Sequence, residues 1–293
     1  MSTMNVEETH TPPPFELAAR QFEIGLRRLA DDLTYGMENS RYVGSGIDFA
    51  QTRPYMPGDS VRSIDWKVTA RTRRVHVKDY EAPKRACVFI IVDTSASMAV
   101  SSTGLTKQAA AVWAAGALAM VAYRRRNPVA LLSGGDRGHF PPPSLLSSAL
   151  YRSIEQLRHE RPREKTGIVE ALSRVRRAAQ RSSLVVVVSD LHEDNATDEI
   201  ISVAQRHDCM VIRPIDPAEL RPLRAGFVRI CEAEGDGTFI GGGGAGLLTE
   251  EALSRPLRLA EGAVAHVELC TDQPLVAPLR RALNGRAGRR LAR

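Results

Sequence analysis

The chain has 293 residues, 43% of them hydrophobic and 25% charged, with 40 Lys+Arg against 34 Asp+Glu for a formal charge of +6 and a pI near 9.4. This composition supplies a well-buried core and is ordinary for a soluble protein, so one large domain with an appendage, or two modest ones, is expected. The charge tolerates an anionic partner without requiring one, since basic residues also fill solvated faces.

Residues 1–14 are polar and end in three prolines, which predicts a disordered lead-in. The opening MSTMNVEETHTPPPFEL has no basic leader or apolar h-region, so no signal peptide is expected. Phe22, Leu26, Leu29 and Leu33 then mark one face of a helix. The rest of 15–85 is punctuated by Gly and Pro and reads as a small β-containing segment, with VHVKDY as its clearest strand.

From residue 86 the texture becomes α/β. ACVFIIVD (86–93) is a strand covered on both faces, and a polar loop (94–105) leads to a helix over about 106–124. The apolar stretch 109–123 within it is shorter than the ~20 residues a membrane span needs, so it predicts a buried helix. PVALLS (128–133) is a strand. Leu146, Leu150 and Ile154 share a helical face, and Ile168, Leu172, Val175 and Ala179 share another. SLVVVVSD (183–190) repeats the first strand's design, a helix follows at about 196–207, and CMVIRPI (209–215) is a further strand. Such alternation predicts a mostly parallel sheet with helices on both faces, over 86–225.

Residues 226–293 are expected to be an extension packed on that sheet. It would hold a hairpin around EAEGDG, a flexible loop at Gly241–Gly244, mixed helix and turn signals over 251–270, a short helix and a basic tail. Cys87, Cys209, Cys231 and Cys270 are scattered without a C-x-x-C pair, which predicts reduced cysteines and a cytoplasmic protein.

Both long buried strands end in aspartate, at the sheet edge where ligands bind in open α/β folds. If the strands are neighbours, Asp93 and Asp190 lie about 4.8 Å apart in strand spacing, and two such carboxylates need a cation or a proton between them. The D-x-S-x-S spacing can bring Asp93, Ser95 and Ser97 to one centre, and Thr166 precedes a helix starting at the same edge. Hard oxygen donors of this kind suit Mg²⁺, with Mn²⁺ also allowed, and the absence of His or Cys argues against zinc. On the D-x-S-x-S spacing alone a capped turn is an equal reading, with Asp93 bonding nearby amides, and Thr166 and Asp190 shift the balance toward a metal.

The constellation Asp93, Ser95, Ser97, Thr166 and Asp190 resembles the metal-ion-dependent adhesion site of the von Willebrand factor type A fold. That resemblance implies a Rossmann-like sheet, Mg²⁺, and a partner's acidic side chain completing the ion's shell. It makes the site a recognition device with no catalytic residue. Where family loops often carry glycines before the threonine, this chain has Glu164 and Lys165.

A second pattern precedes the sheet. Arg53, Tyr55, Gly58-Asp59, Arg62, Ile64-Asp65-Trp66, Thr69-Ala70-Arg71 and Tyr80-Glu81, with R-H-x-x-x-V-I at 206–212 and DPAE at 216–219, resemble the bacterial domain of unknown function 58 family. Its members pair a small β segment with a type A-like domain, and their genes commonly neighbour those of MoxR-type AAA+ ATPases. The resemblance implies an adaptor or co-chaperone working with such an ATPase on an unknown client.

Read from the residues, Pro57-Gly58 is a turn with Asp59 free to bond amides, and Asp65 could pair with Arg62 or Arg71 while a guanidinium packs on Trp66. One use of this network pins the β segment to the sheet domain with Trp66 as core anchor. The other is a partner-docking surface. His192, Glu193 and Asp194 follow the metal-site aspartate, at the ion's rim or in a solvated loop. Two rival functions remain: a metal-dependent phosphohydrolase using Asp93 and Asp190, and a basic nucleic-acid-binding protein. No P-loop is present, which argues against the chain being the ATPase itself.

Overall fold

The structure is a computed structural model describing residues 14–34, 48–81, 86–99, 101–135, 138–160, 165–220, 227–231, 238–242 and 250–289. Residues 1–13 of the expected lead-in, Glu164 and the basic terminus beyond 289 lie outside the described residues. The chain divides into two compact units, one from 1–37 and 86–293 and one from 38–85.

Helix α1, Ala19–Thr34, buries Phe22, Leu26, Ala30 and Leu33 as its stripe, with Leu29 only partly covered. Phe22 meets Trp113 at a ring-centroid distance of 4.7 Å. The helices approach so closely that a Cβ on Gly25 would stand 2.8 Å from the Trp113 ring. Through this contact α1 belongs with the sheet rather than with the segment that follows it in the chain.

The smaller unit is a two-stranded antiparallel ribbon of β1, Asp48–Pro54, and β2, His76–Glu81, with the short helix α2, Trp66–Thr72, between them. The Met56–Asp59 turn closes by a bond from Asp59 N–H to Met56 O, and Gly58 sits at φ 106°, a conformation that favours glycine. Asp59 accepts from Met56 N–H and takes both guanidinium nitrogens of Arg53 at 2.7 and 2.8 Å. Arg53 and the turn's N–H hold its carboxyl down at about 2. Asp65 does not pair with Arg62 or Arg71; it caps α2, accepting from Lys67 N–H and Val68 N–H. Trp66 is 67% exposed and so anchors no core, and among the described residues no guanidinium stacks on it.

In the larger unit five strands form one parallel sheet: β3 (Val88–Val92), β4 (Val129–Ser133), β5 (Leu184–Val188), β6 (Asp208–Ile215) and β9 (Ala265–Cys270), in the order β4-β3-β5-β6-β9. Between β6 and β9 come α7 (Pro217–Leu220), an antiparallel pair β7 (Phe227–Cys231) and β8 (Thr238–Gly242), and α8 (Glu250–Glu261). The hairpin is where the sequence puts it. Gly241 and Gly242, expected in a flexible loop, are instead in β8.

Alternation along β3 divides the interior in two. Val88, Ile90 and Val92 pack beneath α1, α3 (Lys107–Arg124), α4 (Ser147–His159) and α9 (Val276–Arg289). Phe89 and Ile91 pack beneath α5 (Ile168–Ala178), α6 (Ala196–Ala204) and α8. Helices therefore cover both faces, as the near-continuous apolar strands require. Leu146 departs from its expected face: it is the residue before α4 and is 66% exposed, while Leu150 and Ile154 are buried. Among the described residues no helix is long and apolar enough to cross a membrane.

Candidate metal centre

The site lies at the carboxyl edge of the sheet, and its geometry begins with strand register. β3 and β5 are adjacent and parallel, with Val92 opposite Val188, and Asp93 N–H donates to Val188 O at 2.8 Å. Asp93 and Asp190 therefore leave the sheet side by side. Ser189, between them, donates its hydroxyl to Asp93 Oδ2 at 2.5 Å, and Ser95 N–H donates to Asp93 Oδ1 at 2.9 Å. The chain then turns through a 3₁₀ segment, Ala96–Ala99, which sets the Ser95 and Ser97 hydroxyls 3.0 Å apart.

Thr166 reaches the same edge by backbone bonding. Gly134, just past β4, donates to Val92 O at 2.7 Å and accepts from Gly167 N–H at 2.6 Å, while Thr166 bridges to Gly135. Glu193, from the loop after Asp190, accepts the N–H groups of Ile168 and Val169 at 2.7 and 3.1 Å. A carboxylate at a helix N-terminus satisfies two free donors and the helix dipole together. It also ties the Asp190 loop to the Thr166 loop. Replacing Glu193 with Ala is expected to cost about 1–2 kcal/mol, read as a lower urea midpoint, with Gln recovering most of it. An unchanged midpoint in Glu193→Ala would remove this assignment.

Burial decides the electrostatics. Asp93 is fully buried and Asp190 only 1% exposed. Burial first, and the neighbouring Asp190 charge second, push the Asp93 carboxyl up to about 7, against the opposing bonds from Ser189 and Ser95. Burial alone would raise Asp190 too, but the Lys107 ammonium holds it below the ordinary range, with smaller help from His192 and Ser97. Lys107 Nζ lies 2.7 Å from Asp190 Oδ2 and 2.6 Å from Glu219 Oε1, and the lysine is 1% exposed. His192 Nε2 stands 3.7 Å from Asp190 Oδ2, and its side chain is 43% exposed, at the rim.

The donors fit a small hard cation. Asp190 Oδ1 is buried with no hydrogen-bond partner, so the site contains acceptor capacity that the protein leaves unused. Ser97 and Thr166 are both half-buried. No cluster of three His, Cys, Asp or Glu side chains suited to a metal occurs among the described residues, so hydroxyls would have to complete any shell. The docking cluster Arg53, Tyr55, Gly58, Asp59, Arg62, Asp65, Trp66 and Arg71 belongs to the smaller unit, and the metal-site residues belong to the larger one.

A family profile described as "Protein of unknown function DUF58" matches residues 51–240, spanning both the small ribbon and the sheet edge just described. The chain belongs to the DUF58 family. An uncharacterized protein of Mycobacterium tuberculosis (strain H37Rv) is similar to this DUF58 chain at 26% identity over 261 residues, covering 87% of this chain and 79% of the relative. Among solved structures, the SpRpn10 VWA domain is similar at 13% identity and a TM-score of 0.42, over 66% of this chain and 93% of its own. An uncharacterized membrane-spanning protein from Vibrio fischeri is similar at 12% identity and a TM-score of 0.23, over 70% of this chain and 98% of its own.

Sequence reasoning missed Lys107, Ser189 and Glu219. A signal for Lys107 was present: it opens a helix whose next charged residue is Arg124, at the end where the dipole disfavours a cation. A lysine there requires carboxylates nearby.

Proposed function

We propose that this DUF58 chain is a non-catalytic, Mg²⁺-dependent protein-interaction module of the cytoplasm, with Asp93, Ser95, Ser97, Thr166 and Asp190 holding the ion. The observation that carries the reading is the unpartnered, buried Asp190 Oδ1 beside a second buried carboxylate, Asp93, and two adjacent serine hydroxyls. A bound Mg²⁺, or Mn²⁺, supplies a Lewis-acidic centre with a position open to an acidic side chain from a partner. The protein's own part is to hold two carboxylates in place and keep competing water out, with Ser189 and Ser95 fixing Asp93 and Lys107 fixing Asp190. By the family resemblance the partner system is a MoxR-type AAA+ ATPase and its client.

The phosphohydrolase alternative is less well supported. A nucleophilic carboxylate needs an open approach, whereas Asp93 is fully buried with both oxygens already accepting bonds. The lysine such chemistry would direct at a phosphate is held between Asp190 and Glu219.

Calorimetric titration of Mg²⁺ and Mn²⁺ into EDTA-treated full-length protein tests the reading. Saturable binding is expected in the wild type, weakened at least about tenfold in Asp93→Ala and in Ser97→Ala. Equal affinity in wild type and Asp93→Ala would place any bound ion elsewhere. No heat for either ion, with no shift in melting temperature at millimolar Mg²⁺, would overturn ion binding by the protein on its own.

A further inference from the structure

The smaller unit presents several large apolar side chains to solvent. Among the side chains described over residues 52–78, Val77 is the one buried hydrophobic, at 2% exposure, whereas Trp66, Val61 and Met56 are 67%, 66% and 62% exposed. A unit this small has little apolar surface to spare for solvent. Single exposed hydrophobics need no explanation, but several at one end of a ribbon mark a contact site.

The backbone brings them to that one end. Tyr55 N–H donates to Val75 O at 2.9 Å, placing the Met56 turn beside the start of β2. Asp65 N–H donates to His76 O at 2.8 Å, and Ile64 bridges to Val77, so Trp66 and the short Val61–Ser63 turn flank the same end. Within residues 54–75 there are five cations, Arg62, Lys67, Arg71, Arg73 and Arg74, all exposed, against two carboxylates. Both carboxylates already have internal tasks: Asp59 pairs with Arg53, and Asp65 caps α2. The five cations are left to whatever covers this surface.

From this we infer that the end of the ribbon formed by Met56, Val61 and Trp66 with Arg62, Lys67 and Arg71 is a docking surface for an acidic protein segment bearing apolar side chains. Charge selects the occupant. Residues 54–75 are +3 of the whole chain's +6, so the rest of the chain is itself net basic and an acidic partner complements this surface better. A second copy fails for the same reason. Trp66 and Tyr55 give planes on which a base could also stack, so the choice of a protein segment rests on Met56 and Val61, exposed aliphatic side chains that apolar side chains cover and bases do not need. None of these residues is among the proposed ion ligands, so the test of this surface does not rest on Mg²⁺.

The test uses the full chain in EDTA and fluorescence anisotropy with a labelled peptide of roughly 15 residues carrying Glu and Leu at helical spacing. Control probes replace Leu by Gln, or Glu by Lys, and a single-stranded and a duplex oligonucleotide of similar charge complete the set. The Glu/Leu peptide is expected to bind, with each control at least about tenfold weaker. Trp66→Ala and the pair Arg62→Glu/Lys67→Glu should each weaken it about tenfold, because both replace exposed groups and leave the fold intact by circular dichroism. Asp93→Ala should not change it. Tighter binding of either oligonucleotide would make this a nucleic-acid surface and overturn the proposal. So would unchanged affinity in the Trp66 and charge-reversed variants, or no peptide binding up to about 1 mM.

Discussion

Lys107→Met is expected to destabilise the sheet unit by about 3–5 kcal/mol, among the largest single-residue effects the chain can show. Lys107 is 1% exposed and neutralises two buried carboxylates, Asp190 and Glu219, at 2.7 and 2.6 Å. Burial disfavours its charge, yet the two carboxylates outweigh that and hold the ammonium above the ordinary lysine range. Methionine fills the same volume, so packing is nearly kept and the loss is electrostatic. The cost comes from abandoned partners rather than from the missing attraction, which gives the test its sign. Adding Asp190→Asn and Glu219→Gln to Lys107→Met should recover most of the stability, because a buried group with no charges needs no counterion. Urea unfolding in EDTA, read by circular dichroism on all three proteins, decides it. A Lys107→Met midpoint equivalent to within 1 kcal/mol of wild type would sink the account. Mg²⁺ adds a second reading. If the ion sits on Asp190, it should stabilise Lys107→Met more than the wild type, since it supplies the positive charge that the mutation removed.

Lys107 also marks where the sequence stopped being legible. The main sheet strands were readable because Val88–Val92 and Leu184–Val188 are continuous apolar runs dominated by β-branched residues, a pattern with few alternatives. Their ends were readable for the same reason, since an aspartate halting such a run is conspicuous. The edge strand β9 was not. Its residues Ala265–Cys270 are mostly half-buried, and its hydrophobicity is correspondingly diluted. The helix before it, α8, runs through Pro256, whose sequence signal is a break. Trp66 failed in the opposite direction. A tryptophan between an aspartate and a lysine reads as a core anchor by residue type, and only the backbone shows that it opens an exposed helix of seven residues. At the site, Asp93 and Asp190 were found from strand ends, but Ser189 and Glu219 could not be. Their roles depend on which strand neighbours which and on where α7 lands, and neither is a local property.

Metal-free protein should lose stability as the pH rises from about 4 to 7, with Asp93 as the cause. The folded state holds the Asp93 proton to about 7, because the carboxyl is buried beside Asp190. The unfolded chain releases it near the ordinary value of about 3.9. Between those values the native state binds the extra proton, so stability is greatest below the unfolded value and declines as pH rises through the folded one. Three units at about 1.4 kcal/mol each sets the loss on the order of 4 kcal/mol. Other groups act with opposite sign: Asp59, Glu170, Asp190 and Asp216 are held below the ordinary range and lose their contributions as pH falls, and His207, held down by burial and then Arg206, adds stability as pH rises within the same window. Comparison with Asp93→Asn, which carries no proton to release but still offers an oxygen to Ser95 N–H, isolates the Asp93 part. The comparison belongs in a His192→Gln background, since that imidazole lies 3.7 Å from Asp190. Wild type should slope downward from pH 4 to 7 relative to Asp93→Asn in EDTA, and parallel profiles would refute the buried, protonated carboxyl. Saturating Mg²⁺ should flatten the slope if the ion takes the proton's place between Asp93 and Asp190. A slope unchanged by Mg²⁺ would separate the acid pair from the proposed ion site, leaving its electrostatics intact and its metal chemistry without support.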